Sequence, residues 1–291
     1  MGKLSKLSLS FFAVGLVIGS QPLLSKAGAI QAKKEAIVEV KTEDGTKIGF
    51  GKPTVKSQSK VSNKFSISSL LGEDTNTLET VNEVNGNTVE QTITIDSEDS
   101  NSVIEVPVSL NDGEYIVLAE DADGNSSGAG LIYNAEGGSI GVISEPVVED
   151  GSELNVKDVD LNGNNIQLKL ESEDKLSEPT FVTMAASATY YSSYFSSGKW
   201  ITRDGVISLS MTHKAYLHSG TTNDRAMKLA DSWHKLKTVH STNSRWKNTN
   251  GLQDQYNCHY ATIGKAKNPW NIEPSRPDVS YAQTVLKACN P

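Results

Sequence analysis

Three polar residues near the C-terminus have the side-chain types of an acid–base site: His259, Glu273 and Arg276. Pro274 and Pro277 fix the backbone φ angles beside the carboxylate and the guanidinium, so these two groups stand on a stiff segment. An imidazole, a carboxylate and a guanidinium held together can move protons and stabilise negative charge on a phosphate-like ester. The sequence therefore offers these three residues as candidate catalytic groups.

A purely structural role explains the same residues. Glu273 and Arg276 are three positions apart and can pair with each other, while His259 can form a hydrogen bond within the core. The surrounding sequence also offers candidate binding residues, which are aromatic, amide or cationic. They are Trp270, Asn271, Lys235, Lys237 and Arg245.

Cys258 and Cys289 are the two cysteines of the chain, and an export signal favours a disulfide between them. The loop that they close, 32 residues counting both cysteines, is expected to stabilise the domain by roughly 3.5–4 kcal/mol in the chain-entropy model. The competing hypothesis is a reactive Cys258 beside His259. Because adjacent residues project in different directions, the Cys-His pair in sequence does not form a dyad.

The first 29 residues have the pattern of a signal peptide. Lys3 and Lys6 precede an apolar stretch over residues 7–24, and residues 27–29 form a small-x-small cleavage site. The apolar core is short for a membrane of about 30 Å and is interrupted by polar residues and a proline. We therefore expect a secreted protein, extracellular or associated with the cell envelope, with no stable membrane anchor.

Charge divides the remaining chain in two. Residues 30–184 contain 11 Lys/Arg and 29 Asp/Glu, a balance of −18, whereas residues 185–291 contain 13 and 6, a balance of +7. All five histidines and all four tryptophans lie beyond residue 198. The overall pI near 5.2 thus conceals a basic C-terminal region. This region predicts an anionic partner, such as a cell-wall polymer, a glycan or a nucleic acid.

The acidic region is predicted to be all-β over residues 66–171. Two alternating stretches flank Asn85-Gly86, a pair that supplies the positive φ angles of a hairpin turn. Further short stretches are separated by Gly, Asn and Asp, which is typical of an antiparallel sheet or sandwich. Residues 30–65 are predicted to be extended or partly disordered. Residues 172–187, which contain Pro179, are predicted to form a linker.

The basic region, residues 188–291, is predicted to be a small α+β domain closed by the disulfide. Asp204-Gly205 indicates a hairpin. Helical spacing predicts three helices: one over residues 222–237, one over residues 250–263 with His259 facing the interior, and one from residue 278 with Tyr281 and Val285 facing inward.

Several motifs of this region resemble one known family. They are Trp200, the SLS of residues 208–210, Trp233, the QxxCH of residues 255–259, the WNIEPSRP of residues 270–277 and the terminal CNP. Together they resemble domain-of-unknown-function family 2599, a group of secreted bacterial domains found at protein C-termini. The resemblance covers about residues 190–291. It implies common ancestry and export, and it implies no chemistry, because the family has no assigned activity.

Metal ligands are not predicted. His213 and His218 are five positions apart and His234 and His240 six, and the chain contains neither HExxH nor CxxC. No cofactor motif is present either.

Two functional hypotheses follow from the sequence. The first is a secreted protein whose basic C-terminal module binds an anionic extracellular or cell-wall partner. The second is a secreted effector or toxin-like enzyme, a small hydrolase or nuclease that uses His259, Glu273 and Arg276.

Overall fold

The computed structural model describes residues 37–56, 77–121 and 123–291. The predicted signal peptide lies outside the described residues, as do residues 30–36 and 57–65 of the segment predicted to be extended. Within the described ranges the N-terminal part contains thirteen strands. They are β1 (Ile37–Lys41), β2 (Lys47–Gly51), β3 (Thr54–Lys56), β4 (Thr80–Asn85), β5 (Thr88–Ile95), β6 (Val103–Ser109), β7 (Tyr115–Glu120), β8 (Ser126–Tyr133), β9 (Ser139–Ile143), β10 (Val147–Val148), β11 (Leu154–Asn162), β12 (Asn165–Ser172) and β13 (Thr180–Ala188).

These strands form a sandwich of two antiparallel sheets. One sheet has the order β1-β2-β6-β12-β11 with β3 beside β6, and the other has the order β4-β5-β13-β9-β8-β7 with β10 beside β13. Alternate residues of both sheets point into a shared apolar core, as Leu168 on β12 and Val182 on β13 do. The predicted antiparallel β fold is confirmed, including the hairpin of β4 and β5. Its turn lies one residue later than predicted, at Gly86 and Asn87, because Asn85 still pairs with Thr88.

Two predicted boundaries of this region are corrected. Residues 172–187 are not a linker, because half of them belong to β13, which lies between β5 and β9 in the sheet. Pro179 stands just before the strand, where the missing amide hydrogen costs nothing in the ladder. Part of the segment 30–65 is ordered too: it contains β1 to β3, and Ile48 and Phe50 are fully buried.

The C-terminal part combines a three-stranded antiparallel sheet with four short to medium helices. The strands are β14 (Phe195–Arg203), β15 (Val206–His213) and β16 (Trp270–Ile272); the helices are α1 (Tyr191–Tyr194), α2 (Thr222–His240), α3 (Thr249–Cys258) and α4 (Tyr281–Leu286). Two 3₁₀ turns, Ala215–His218 and Gly264–Ala266, and a π-helical turn, His259–Ile263, complete this part. The predicted small α+β domain is confirmed.

Helix α2 begins with reciprocal hydrogen bonds. The Thr221 hydroxyl accepts from the Asp224 backbone amide at 3.1 Å, and the Asp224 carboxylate accepts from the Thr221 amide at 3.0 Å. This capping box satisfies two amides that no helical carbonyl can reach. The helix predicted over residues 222–237 is confirmed and extends to His240.

Helix α4 differs from its prediction. It begins after Ser280, whose hydroxyl accepts from the Gln283 amide, and not at residue 278. The buried face differs as well: Thr284 is buried, whereas Tyr281 and Val285 are 40% and 37% exposed. The inward orientation predicted for Tyr281 and Val285 is therefore wrong.

The two parts share an apolar interface along α2. Met227 is buried with Ala129 and Leu131 of β8 and Val142 of β9. Burial of these side chains removes apolar surface from water, which stabilises the contact. Helix α2 consequently packs on the sandwich as well as on its own domain.

A buried carboxylate reinforces this interface. Asp231 of α2 is fully buried and accepts hydrogen bonds from the hydroxyls of Ser139 on β9, Thr189 at the end of β13 (2.6 Å) and Tyr194 of α1 (2.7 Å). Lys235 lies 3.8 Å from the same carboxylate. A buried charge is tolerated only when it is satisfied in this way, so both parts of the chain are needed to accommodate Asp231.

Candidate functional site

The disulfide between Cys258 and Cys289 is present, with the sulfur atoms 2.03 Å apart and the Cα atoms 5.5 Å apart. It joins the end of α3 to a residue that follows α4. The predicted pairing is confirmed. The disulfide closes the segment that contains β16 and, with it, His259, Trp270, Asn271, Glu273 and Arg276.

Strand β16 separates those residues onto two sides of the small sheet. Trp270 and Ile272 are fully buried in the core. Because side chains alternate along a strand, Asn271 and Glu273 face the opposite side, which we call the outer face. There the Glu273 carboxylate accepts a hydrogen bond of 3.4 Å from the hydroxyl of Ser208 on β15.

Glu273 and Arg276 are an ion pair on the outer face. The Arg276 Nε atom lies 2.5 Å from Glu273 Oε2. The backbone beneath them is held by Gln255 of α3, whose amide donates to the Glu273 carbonyl at 3.0 Å and accepts from the Glu273 amide at 2.9 Å. These contacts are those of the structural role, in which each charge neutralises the other.

His259 is buried on the core side, with 1% of its surface exposed. Its Nδ1 atom donates to the Gln255 carbonyl at 2.7 Å, and its ring lies 6.3 Å from that of Trp270. Burial lowers the pKa of His259, an effect that the hydrogen bond to Gln255 opposes. The structure thus brings Glu273 and Arg276 together and leaves His259 buried near Trp270.

Two of the predicted binding residues are buried, so the prediction that they bind a ligand is corrected. Trp270 is a core residue whose indole nitrogen donates to the Gly264 carbonyl at 3.2 Å. Lys235 has a side chain only 13% exposed, because it lies where α2 meets the sandwich and contacts Asp231 and the Ser139 carbonyl. Neither side chain is available to a ligand in this conformation.

The other three predicted binding residues lie on separate elements. Asn271 is half-buried on β16, Lys237 is half-buried on α2, and Arg245 is exposed in the loop between α2 and α3. In the part of the chain that the structure describes, no hydrogen bond or ion pair joins them. Among the described residues, the buried Asn271 Oδ1 atom also has no hydrogen-bond partner.

A histidine pair that the sequence analysis did not select lies beside Trp270. His213 lies at the end of β15, with its ring centroid 4.3 Å from that of Trp270. His218 stacks on Tyr260, with 5.1 Å between the ring centroids and 10° between the ring planes. His218 Nε2 lies 3.3 Å from His213 Nδ1. We refer to His213, His218, Tyr260, Arg225 and Lys265 as the histidine cluster.

Two cations complete the histidine cluster. The turn that carries His218 packs against α2, which carries Arg225, and against the turn that carries Lys265. Burial, the neighbouring His213, and the charges of Lys265 and Arg225 lower the pKa of His218 to about 4. Within residues 37–56, 77–121 and 123–291, neither cation has a carboxylate within 4 Å.

The signal for this cluster in the sequence was weak. The spacing of His213 and His218 matched no metal motif, and nothing local related either histidine to Tyr260 or Lys265. The association depends on β16 returning the chain beside β15. Pairing of segments so far apart in sequence is not visible in a local pattern.

Other kinds of site were also sought. Over the described ranges, no group of three or more His, Cys, Asp or Glu side chains is arranged to hold a metal ion. No helix there combines the length and the apolar composition needed to cross a membrane. Two cavities of about 160 and 150 Å³ lie between α2 and the sandwich, away from Glu273 and Arg276.

Comparison with known proteins bears on the C-terminal part alone. No curated protein and no solved structure matches the chain. A family does match over residues 195–291, which are 97 of the 291 residues and include β14 to β16 and α2 to α4. In agreement with the resemblance seen in its motifs, this region of the chain matches the family described as "Protein of unknown function (DUF2599)".

Proposed function

We propose that the protein is exported and that its C-terminal domain binds an anionic polymer of the cell envelope or the extracellular space. One observation carries this proposal. Of the 13 Lys and Arg residues in positions 185–291, all of them described, only Lys235 and Arg276 form an ion pair with a carboxylate. The other cations are left to neutralise charges of a partner.

Most of these cations are also accessible. Eight are exposed: Lys199, Arg203, Lys214, Arg245, Lys247, Lys265, Lys267 and Lys287. Exposed charges interact through water, so an association that depends on them weakens as salt is added. The proposal therefore predicts binding that is strong at low ionic strength and is lost progressively with salt.

The enzyme hypothesis has less geometric support. It requires His259, Glu273 and Arg276 to meet around a substrate, yet His259 is buried near Trp270, and Glu273 and Arg276 are paired with each other. The His259 Nδ1 atom is also engaged by a backbone carbonyl. We therefore favour binding over catalysis as the role of this domain, and export rests on the pattern of residues 1–29.

Retention on immobilised heparin, a sulfated polyanion, tests the proposal. In one variant of the full-length protein, four unpaired lysines (Lys199, Lys247, Lys265 and Lys267) become Gln. In a matched variant, four lysines that form ion pairs in the sandwich (Lys41, Lys47, Lys56 and Lys157) become Gln. Both variants have the same net charge, so only the location of the lost charge differs.

We expect the wild-type protein to bind and to elute with salt, and the first variant to elute at clearly lower salt than the second. Equal elution of the two variants would contradict the proposal, because net charge alone would then govern retention.

The protein eluted from the heparin column is also incubated with RNA, DNA and cell-wall polymer. Product formation in that incubation would favour the enzyme hypothesis.

A further inference from the structure

Hydrogen bonding assigns the nitrogens of His213 and His218 that carry protons when each ring holds one proton. His213 Nε2 lies 3.1 Å from the Lys267 carbonyl, which can only accept, so this nitrogen carries the proton. The His213 Nδ1 atom must then accept from His218 Nε2. The remaining nitrogen of His218, Nδ1, has a free lone pair and, in the described part of the chain, no partner.

Charged groups act on His218 from several sides. Arg225 on α2 and Lys265 on the following 3₁₀ turn repel its protonated form, and so does His213 on β15. Tyr260 covers one face of its ring, and Trp270 lies nearly perpendicular to the ring, with 5.7 Å between the two ring centroids. No carboxylate is among the groups that act on it within the described residues. The site therefore contains unbalanced positive charge around one free nitrogen.

Hydrogen bonds hold the Arg225 guanidinium in a fixed position. Its guanidinium donates to the Gly220 carbonyl and to the Thr222 hydroxyl, both at 3.1 Å. A guanidinium fixed by neutral acceptors keeps its full charge, and its remaining hydrogens can bind an oxyanion. Lys265 is exposed and can approach the same ligand.

We propose that His218, Arg225 and Lys265 form a phosphate-binding site, and that His218 takes up a proton from solvent when a phosphodiester polymer binds. In the neutral state the Nδ1 lone pair faces the anion and repels it. After protonation, Nδ1 becomes a donor to a phosphate oxygen, and no other bond forms or breaks.

The geometry favours a phosphate-linked polymer without bases over a nucleic acid. Proteins that bind single-stranded nucleic acids usually provide aromatic faces on which bases stack. Here Trp270 is fully buried and His218 covers a face of Tyr260. This inference rests on the proposed function, since it names the ligand class of the same cationic surface.

The sign of the pH effect follows from linkage. A bound anion offsets the repulsion by Arg225 and Lys265, so it raises the pKa of His218 from its value of about 4 in the free protein. The protonated form must then bind the anion more tightly. Affinity is expected to increase as the pH falls from neutrality toward this pKa.

The test uses the full-length protein and poly(glycerol phosphate), whose phosphodiesters keep their charge throughout the titration. Calorimetry at about pH 7 and about pH 5 gives the affinities. We expect about tenfold tighter binding at the lower pH. NMR of the histidine rings should show the His218 pKa rising by about two units, from about 4 to about 6, because about pH 5 then protonates most of the bound form and little of the free form. RNA and heparin are measured in parallel.

Two variants and a matched control isolate the site. His218→Gln and His218→Phe, the second of which preserves stacking on Tyr260, should lose most of the increase at low pH. His240→Gln, which removes a histidine buried elsewhere, should retain it. The NMR titration of the wild-type protein needs no substitution, so a folding defect in one variant does not obscure the result.

Three results would reject the inference. The first is the same pH dependence in both His218 variants as in the wild type. The second is tighter binding of RNA than of the glycerol polymer at equal phosphate concentration. The third is retention on heparin without any change in the His218 pKa on adding the phosphate polymer, which would leave the proposed function intact. Loss of retention on heparin as well would reject both.

Discussion

The sandwich and the C-terminal domain differ in how far their cationic side chains are paired with carboxylates. In the sandwich, Glu39 pairs with both Lys41 and Lys47, at 3.1 and 3.0 Å, and Glu105 pairs with Lys56 at 2.9 Å. In the C-terminal domain, Arg225 and Lys265 have no such partner among the described residues. The excess of acid in the first region supplies a carboxylate to four of the seven lysines that the structure describes there. The excess of base in the second leaves cations for an external ligand.

The interiors of the two regions also differ in composition. The sandwich core is almost entirely aliphatic, whereas His213, His240 and His259 are buried in the C-terminal domain. Burial of a histidine favours the neutral imidazole and disfavours the charged imidazolium. We therefore expect the two regions to respond differently to mutation, reduction and acid.

The largest effect is expected from Asp231→Ala. The change leaves three hydroxyl donors and the Lys235 ammonium without their buried acceptor, so the free energy of unfolding should fall by about 3–5 kcal/mol. Urea unfolding followed by tryptophan fluorescence measures this loss in the C-terminal domain, because all four tryptophans lie beyond residue 198. The control is Asp278→Ala, at an exposed position. A loss no larger than that of the control would mean that the interface does not depend on this carboxylate.

A smaller effect is expected from the double substitution of Cys258 and Cys289 by Ser. Removing a cross-link across 31 positions of sequence should cost about 2–4 kcal/mol through the greater entropy of the unfolded chain. Hydrogen exchange should show faster opening of α3 and β16 and nearly unchanged protection of β5 and β13. Equal loss of protection in both regions would show that they unfold as one cooperative unit.

The smallest expected difference between the two regions is in their loss of stability on acidification. Burial lowers the pKa of His218, His234, His240 and His259, so the unfolded chain binds more protons below about pH 6.5. Their stabilising contribution is present above that pH and declines toward about pH 4. We expect a loss of about 1–2 kcal/mol between about pH 7 and about pH 5, a figure reduced for solvent screening of the half-exposed histidines.

The sandwich should lose stability only at lower pH. Hydrogen bonds from Thr42 and its neighbours lower the pKa of Asp44 to about 2, and the ion pairs of Glu39 and Glu105 lower theirs despite burial. These carboxylates stabilise the fold above about pH 4 and stop doing so as they protonate. Tryptophan fluorescence and the far-ultraviolet signal should therefore show separate acid transitions. A single coincident transition would contradict the comparison.

Local signals in the sequence predicted local structure well. Asn85-Gly86 and Asp204-Gly205 each indicated a hairpin. Asp204 and Gly205 both adopt the required positive φ, whereas the first turn lies at Gly86 and Asn87, with positive φ at Gly86. The pairing of two cysteines allowed only one disulfide. Helix α2 was predicted from its spacing of apolar residues. In each case the information lies within a few positions of the chain.

The errors concern relations between distant segments. Strand β13 consists largely of Thr, Ala and Ser, so its alternation was hidden, and only its neighbours β5 and β9 make it a strand. Lys235 was predicted to be exposed because nothing in α2 itself indicates that the sandwich covers it. For the same reason the candidate site was only partly predicted: Glu273 and Arg276 were found as a pair, and the cluster around His218 was not.

Helix α2 has a consequence for how such chains can be recombined. The similarity to a known family starts at residue 195, yet Met227 and Asp231 within it are completed by Val142, Ser139 and Thr189, which precede that point. The unit recognised by sequence is thus smaller than the unit that folds. A new N-terminal partner joined to this region would have to supply an apolar surface and three hydroxyl groups, in place of those of Ser139, Thr189 and Tyr194. Without them, α2 would expose Met227 to solvent or bury Asp231 without its donors.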